Sequence, residues 1–243
     1  MHTDIVAEIG SNWEGNLVKA KKLINECKNA GANAVKFQMW RATDLYSSNH
    51  PSWKFIKKSE ITFENAKKLK QICDKQKIEF YCSAFYPEAI DYLETLGVKR
   101  YKIASRTCLL KDPFSKETLV KKANTKKPII VSMGMGGNKQ QIQKIFSKNK
   151  LLFCYCISEY PLEFKKINWT NALKFDGFSD HTLGITAPIF FATLKKSKKV
   201  KNIMIEKHVK LKNSKGPDAS TSIDTEQLSR MIDTIRLIET SKF

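Results

Sequence analysis

Only four histidines occur in the chain, and two of them close β-type runs: His181 in Phe178-Ser179-Asp180-His181-Thr182, and His208 in Ile203-Met204-Ile205-Glu206-Lys207-His208. Imidazoles aimed inward from the rim of a parallel barrel are suited to hold a divalent metal over a pocket. The competing reading, two hydrogen-bonded core histidines, is weakened by their equivalent places on neighbouring strands. His2 and His50 fall at an end and in a loop.

Lys36 and Lys102 each interrupt an otherwise apolar run (Ala34-Val35-Lys36-Phe37 and Tyr101-Lys102-Ile103-Ala104). A buried ammonium is costly unless an anion compensates it, so its partner is either a carboxylate, with Glu8 and Glu206 at hand, or an anionic ligand. Ser83, Ser105, Ser132, Ser158 and Ser179 also stand at strand ends, joined by Glu8, Gln38, Tyr160 and, further on, Asp218. Two lysines among so many hydroxyls, with few inward acids expected, suit a small dianionic or trianionic substrate. A Schiff base on one lysine is the alternative, and it leaves the histidine pair without a role.

Positioning such residues requires strands that all end on one side. Eight runs have strand character, at 4–10, 34–38, 78–85, 100–105, 128–134, 151–158, 176–180 and 202–209. Helical periodicity occupies 17–30, 62–77, 87–96, 112–125, 137–148, 168–175, 186–198 and 225–240 between and after them. Eight β/α units predict a (β/α)8 TIM barrel, one domain over residues 1–243, in preference to a doubly wound sheet. Asp224 with Gln227 reads as a capping box for the last helix. The long irregular stretches 39–61 and 209–224 follow strands two and eight, which sets both over the mouth of the barrel.

The formal charge is +19, from 43 Lys+Arg against 24 Asp+Glu. The excess is lysine, in pairs such as Lys57-Lys58, Lys121-Lys122, Lys126-Lys127 and Lys198-Lys199, with only five arginines. Phosphate-reading surfaces mix arginine and stacking aromatics into such patches, so the pattern argues for a solvated lysine coat and against nucleic acid. Six scattered cysteines, four within apolar patterns, indicate a reducing compartment. Cys154 and Cys156 share a strand face, but without a second pair they do not make a zinc site. No apolar run approaches the roughly 18 residues that cross a bilayer, and no basic leader precedes the first strand, so a soluble cytoplasmic protein without a membrane partner is expected.

The segments Ala7-Glu8-Ile9-Gly10-Ser11-Asn12-Trp13-Glu14-Gly15, Val35-Lys36-Phe37-Gln38, Tyr101-Lys102-Ile103-Ala104-Ser105, Val131-Ser132-Met133-Gly134-Met135, Cys156-Ile157-Ser158-Glu159-Tyr160-Pro161, Phe178-Ser179-Asp180-His181-Thr182 and Glu206-Lys207-His208 with Gly216-Pro217-Asp218 resemble, in that order, the barrel domain of the N-acetylneuraminate (sialic acid) synthase family. The resemblance implies condensation of phosphoenolpyruvate with an open-chain 2-acetamido sugar such as N-acetylmannosamine, yielding a nonulosonic acid and phosphate. It implies a divalent metal, Mn2+ or Mg2+, on His181 and His208. Phosphoenolpyruvate would lie against Lys36, Ser83, Lys102, Ser105, Ser132, Ser158 and Ser179, and the sugar against Glu8, Gln38, Tyr160 and Asp218. The alternatives are another phosphoenolpyruvate–aldose condensation, a metal aldolase, or a non-catalytic barrel that binds sugar or phosphoenolpyruvate.

Three departures from the family pattern stand out. Trp13 replaces a histidine of the first motif, Thr107 stands where a glutamate is usual with Arg106 before it, and Met133 replaces a threonine. Family members carry a C-terminal antifreeze-like domain whose arginine covers a neighbouring active site, and the chain ends at Phe243 with the last barrel helix. Either the acceptor is held differently, by Arg106 or the 39–61 stretch, or a separate protein supplies the lid, or activity has decayed; a homodimer is the oligomer expected.

Overall fold

Eight strands close on themselves in chain order in the computed structural model, which describes residues 1–242. They are β1 (His2–Glu8), β2 (Ala34–Met39), β3 (Glu79–Ala84), β4 (Tyr101–Ile103), β5 (Ile129–Ser132), β6 (Leu151–Tyr155), β7 (Gly177–Asp180) and β8 (Asn202–Lys210). All pair in parallel, and β1 against β8 completes the barrel through seven register pairs from His2↔Asn202 to Glu8↔His208. A two-residue β9 (Ile223–Asp224) extends β8 beyond the rim.

Parallel neighbours need crossovers, and α1 (Leu17–Asn29), α4 (Phe63–Lys75), α5 (Pro87–Thr95), α6 (Ser115–Asn124), α7 (Lys139–Ile145), α8 (Trp169–Ala172), α9 (Thr186–Ser197) and α10 (Thr225–Thr240) supply one after each strand. Their numbering leaves room for α2 (Ala42–Leu45) and α3 (Trp53–Ser59), both within the stretch expected to be irregular. Apolar spacing alone hides them because each is only one or two turns long. Trp40, Ala42, Ile56 and Phe85 form a small separate core beneath them, so this segment is packed over the mouth. The capping box of Asp224 and Gln227 starts α10, whose Leu228, Met231, Ile232 and Ile235 are buried. No helix is long and apolar enough to cross a membrane among the described residues.

Strand alternation divides the residues between two environments. Outward-facing Ile5, Ala7, Val35, Phe37, Phe80, Ile103, Val131, Phe178 and Ile205 join the helices in the main core. Inward-facing Val6, Ala34, Tyr81, Ile130, Cys154 and Met204 make a second, closed apolar layer. Two residues further along the same strands the inward positions are Glu8, Lys36, Ser83, Ser132, Cys156 and Glu206, so the period-2 repeat converts an apolar floor into a polar one.

All crossover helices run back toward the strand N-termini, where five of them end on a left-handed residue. Gly31 and Gly97 fill that place after α1 and α5, but Lys77, Lys126 and Lys199 fill it after α4, α6 and α9, with φ of 53°, 57° and 57°. A side chain there costs roughly 1–2 kcal/mol relative to glycine, so local folding does not favour these lysines.

Candidate active site

The polar layer opens at the C-terminal mouth of the barrel, where a cavity is lined by side chains from each strand or, for β6, from Cys156 just past its end. Lys36 Nζ lies 2.7 Å from Glu8 Oε2, 3.7 Å from Glu206 Oε2 and 3.4 Å from Ser83 Oγ. Lys102 Nζ donates to both oxygens of Glu206 at 3.0 and 3.1 Å. Ser179 Oγ donates to Glu206 at 2.7 Å, and Gln38 Nε2 donates to Glu8 at 2.6 Å. The expectation of few inward acids is therefore corrected: Lys36 is paired with Glu8 on the adjacent strand and lies near Glu206 two strands away, and Lys102 is paired with Glu206 directly across the closed barrel. Alternation dictates it, because Glu8 and Glu206 have the same strand parity as the lysines and all four side chains are buried, which makes either charge costly without the other.

The two carboxylates are not equivalent. Burial, reinforced by Glu206 and opposed by Lys36, pushes the Glu8 carboxyl up to about 7. Burial acts in the same sense on Glu206, but Lys102 and Lys36 overcome it and hold that carboxyl well below the usual range. Glu8 Oε2 lies in a close ion pair with Lys36 at 2.7 Å and has no other donor. Near neutral pH the layer thus holds two ammonium groups, one firmly ionised carboxylate and one that exchanges a proton.

Serine hydroxyls complete the wall. Ser132 Oγ and Ser158 Oγ are buried without partners, while Ser105 Oγ accepts from Gly134 N at 2.9 Å. Gly134 is required by close approach: a Cβ there would stand 2.8 Å from Ser158 Oγ and 2.9 Å from Cys156 O. Ser158 sits behind this turn and outside the cavity lining, whereas Ser83, Ser105, Ser132 and Ser179 line it.

His181 and His208 stand side by side at the mouth, at the ends of the paired strands β7 and β8, with ring centroids 5.6 Å apart. His181 Nδ1 lies 2.7 Å from Ile157 O, which assigns its proton to Nδ1 and leaves Nε2 with a lone pair. Burial pushes His208 down to about 4, opposed by Asp218 and aided by His181 and Lys36, and its Nδ1 is buried without a partner. Tyr160, half exposed, sets its ring 4.1 Å from that of His181. No group of three or more His, Cys, Asp or Glu converges as a metal cage among the described residues. Both imidazoles line the cavity; burial holds His208 neutral, whereas Cys156 and Ile157 O overcome burial and raise the pKa of His181.

Several expected residues have other duties. Asp218 Oδ2 accepts from Ser11 N and Ser11 Oγ, each at 2.7 Å, and stands back from the cavity lining. Its approach requires Gly10, where a Cβ would lie 2.5 Å from that oxygen. Arg106 is bound to both oxygens of Asp112 at 2.7 Å and donates to Leu45 O at 3.4 Å, so it fastens the β4 loop to the segment over the mouth rather than reaching for an acceptor. Trp13 is buried and its indole donates to Ser59 O at 3.0 Å, anchoring α3.

Two residues were missed. Cys156 lines the cavity 4.0 Å from His181 Nδ1, and its signal was the parity it shares with Cys154. Lys122, read as part of a solvated coat, is fully buried and donates to Ala84 O at 2.8 Å and Lys102 O at 3.0 Å, tying together the ends of β3 and β4. Burial pushes it down to about 7. The doublet Lys121-Lys122 conceals it, because only one of two successive helix positions can face the barrel.

Comparison with known proteins agrees with this geometry. Residues 23–242 match the NeuB family. The chain is 35% identical to an uncharacterized protein of Methanocaldococcus jannaschii, over 98% of this chain and 71% of that one. It is 31% identical to the N,N'-diacetyllegionaminic acid synthase of Legionella pneumophila, over 97% and 72% of the two chains. The crystal structure of the N-acetylneuraminic acid synthetase of Leptospira borgpetersenii, in complex with citrate, superposes with a TM-score of 0.85 at 26% identity, covering 97% of this chain and 83% of that one. The chain belongs to the NeuB family, and its barrel is that of a carbon–carbon bond-forming synthase.

Proposed function

We infer that this barrel condenses phosphoenolpyruvate with the open-chain form of a 2-acetamido sugar, N-acetylmannosamine-like, to give a nonulosonic acid and phosphate. The observation that carries the reading is the Lys36–Glu8–Glu206–Lys102 layer with its serine wall, set beneath two imidazoles at the mouth. A phosphate and a carboxylate entering this layer would meet Lys36 and Lys102, with Ser83, Ser105, Ser132 and Ser179 donating to the remaining oxygens. Protonated Glu8 leaves the layer with a net positive charge that favours such an anion, and this carboxyl, pushed up to about 7 by burial, is placed to hold or release a proton. Gln38 fixes the other Glu8 oxygen, and Tyr160 borders the sugar side.

His181 and His208 fit a divalent cation such as Mn2+ or Mg2+, because the Ile157 carbonyl engages only Nδ1 of His181 and His208 Nδ1 has nothing else to bind. Held there, the ion would supply a Lewis acid for the sugar aldehyde. The imidazole pair distinguishes this reading from a Schiff-base aldolase, which has no use for it.

The test is phosphate release from phosphoenolpyruvate with manganese and a panel of 2-acetamido sugars and plain aldoses, with the keto acid identified by mass. Release with a 2-acetamido sugar is expected. No phosphate from any sugar would overturn the reading.

A further inference from the structure

The lysine excess is not spread evenly over the barrel. The connections that return to strand N-termini, together with residues 241–242, contain twelve Lys or Arg and a single acid, Asp176. The connections at the opposite, active-site rim contain ten Lys or Arg and eight acids. Composition alone would enrich both rims alike. Of the twelve cations, Arg100 is paired with Asp4 and Glu79, and Lys127 with Glu94. The other ten are lysines, all exposed and without a side-chain hydrogen bond or ion pair among the described residues.

Helix dipoles provide one ordinary reason for cations here, since the helix C-termini lie on this face. A lysine serving that purpose reaches a terminal carbonyl, as Lys195 does at Leu173 O and Lys196 does at Glu239 O, 2.7 Å away. The ten free lysines reach none. Three of the helix ends also carry lysine in the left-handed position that glycine fills elsewhere in this chain, so charge is kept there against backbone preference.

We propose that this face is a docking plate for an anionic lipid bilayer surface, with the active-site mouth turned toward solvent. A bilayer is a flat, laterally continuous sheet of negative charge, and it needs no fixed pairing geometry from its partner. Flexible point charges distributed around a rim suit it, each contributing electrostatically within a Debye length. Nucleic acid is the poorer match because the face offers two arginines, Arg100 and Arg236, both already engaged, and its connections present no exposed aromatic side chain for stacking. None of the large exposed apolar residues lies in these connections, so contact is with headgroups and must be salt-sensitive.

The experiment is co-sedimentation of the full chain with phosphatidylcholine vesicles, with and without phosphatidylserine, at low salt and at about 0.5 M salt. Binding is expected only to the anionic vesicles, and only at low salt. Lys126→Gln/Lys148→Gln/Lys150→Gln should lower the partition coefficient about a hundredfold. Lys54→Gln/Lys58→Gln/Lys215→Gln, the same charge change on the opposite rim, should leave it within about threefold, and thermal unfolding of both variants confirms that they are folded. Absence of binding at low salt, equal binding to neutral vesicles, equal loss in the two variants, or tighter binding of an RNA oligomer at the same salt would each overturn the proposal.

Discussion

Lys102 can serve a ligand or merely neutralise Glu206, and a pair of substitutions separates the two roles. In Lys102→Met, Glu206 retains Ser179 at 2.7 Å and Lys36 at 3.7 Å but loses two charge-assisted hydrogen bonds in a dry layer. Stability should fall by about 3–5 kcal/mol, the scale for a buried charge deprived of its partner. In Lys102→Met/Glu206→Gln no charge is orphaned, so most of that loss should return. Phosphoenolpyruvate affinity behaves differently if Lys102 binds the anion: the loss of about 2–3 kcal/mol, roughly 30- to 160-fold, should persist in the double variant. Denaturant unfolding gives the first quantity and calorimetric titration of phosphoenolpyruvate without sugar gives the second. A double variant that regains both stability and wild-type affinity would refute the reasoning, since Lys102 would then serve Glu206 alone.

His208→Ala should abolish calorimetric manganese binding and phosphate release together while shifting stability by no more than about 1 kcal/mol, because burial keeps this imidazole neutral and no charge is stranded; manganese binding unchanged in the variant would exclude His208 as a ligand. Lys122 gives a pH signature. Its pKa falls from 10.5 to about 7 on folding, so between those values the unfolded chain binds more protons and stability should rise with pH, by up to about 1.4 kcal/mol per unit and on the order of 5 kcal/mol in all. Below about 7 both states are protonated and this slope vanishes. The difference in unfolding free energy between wild type and Lys122→Met should therefore change steeply from pH 7 to 10 and be flat from 5 to 6.5; a difference that stays constant above 7 would show that the buried amine is not the titrating group.

Much of the candidate site is legible along the chain. Lys36, Lys102, His181 and His208 each stand out against their strands, and the closed barrel gathers them as parity requires. The 39–61 segment was legible only as a cover for the mouth. Its short helices depend on Trp40, Ile56 and Phe85 meeting across two different loops, and on the Trp13 indole reaching Ser59. Arg106 similarly looked free to hold an acceptor until Asp112, six residues on, proved to turn back onto it.

What the chain alone determines is which residues share a strand face and where each helix starts: alternation and capping act over two to four residues, and Asp224 with Gln227 needs nothing from the rest of the molecule. Which charges meet is decided only by closure. Glu206 lies 104 residues from Lys102, and their contact exists because β4 and β8 face one another across a barrel sealed by β1 against β8. Burial of Lys122 beside an exposed lysine, and the gathering of twelve cations on one rim, follow equally from helix direction and barrel closure, which convert sequence neighbours into opposite surfaces and distant loops into one.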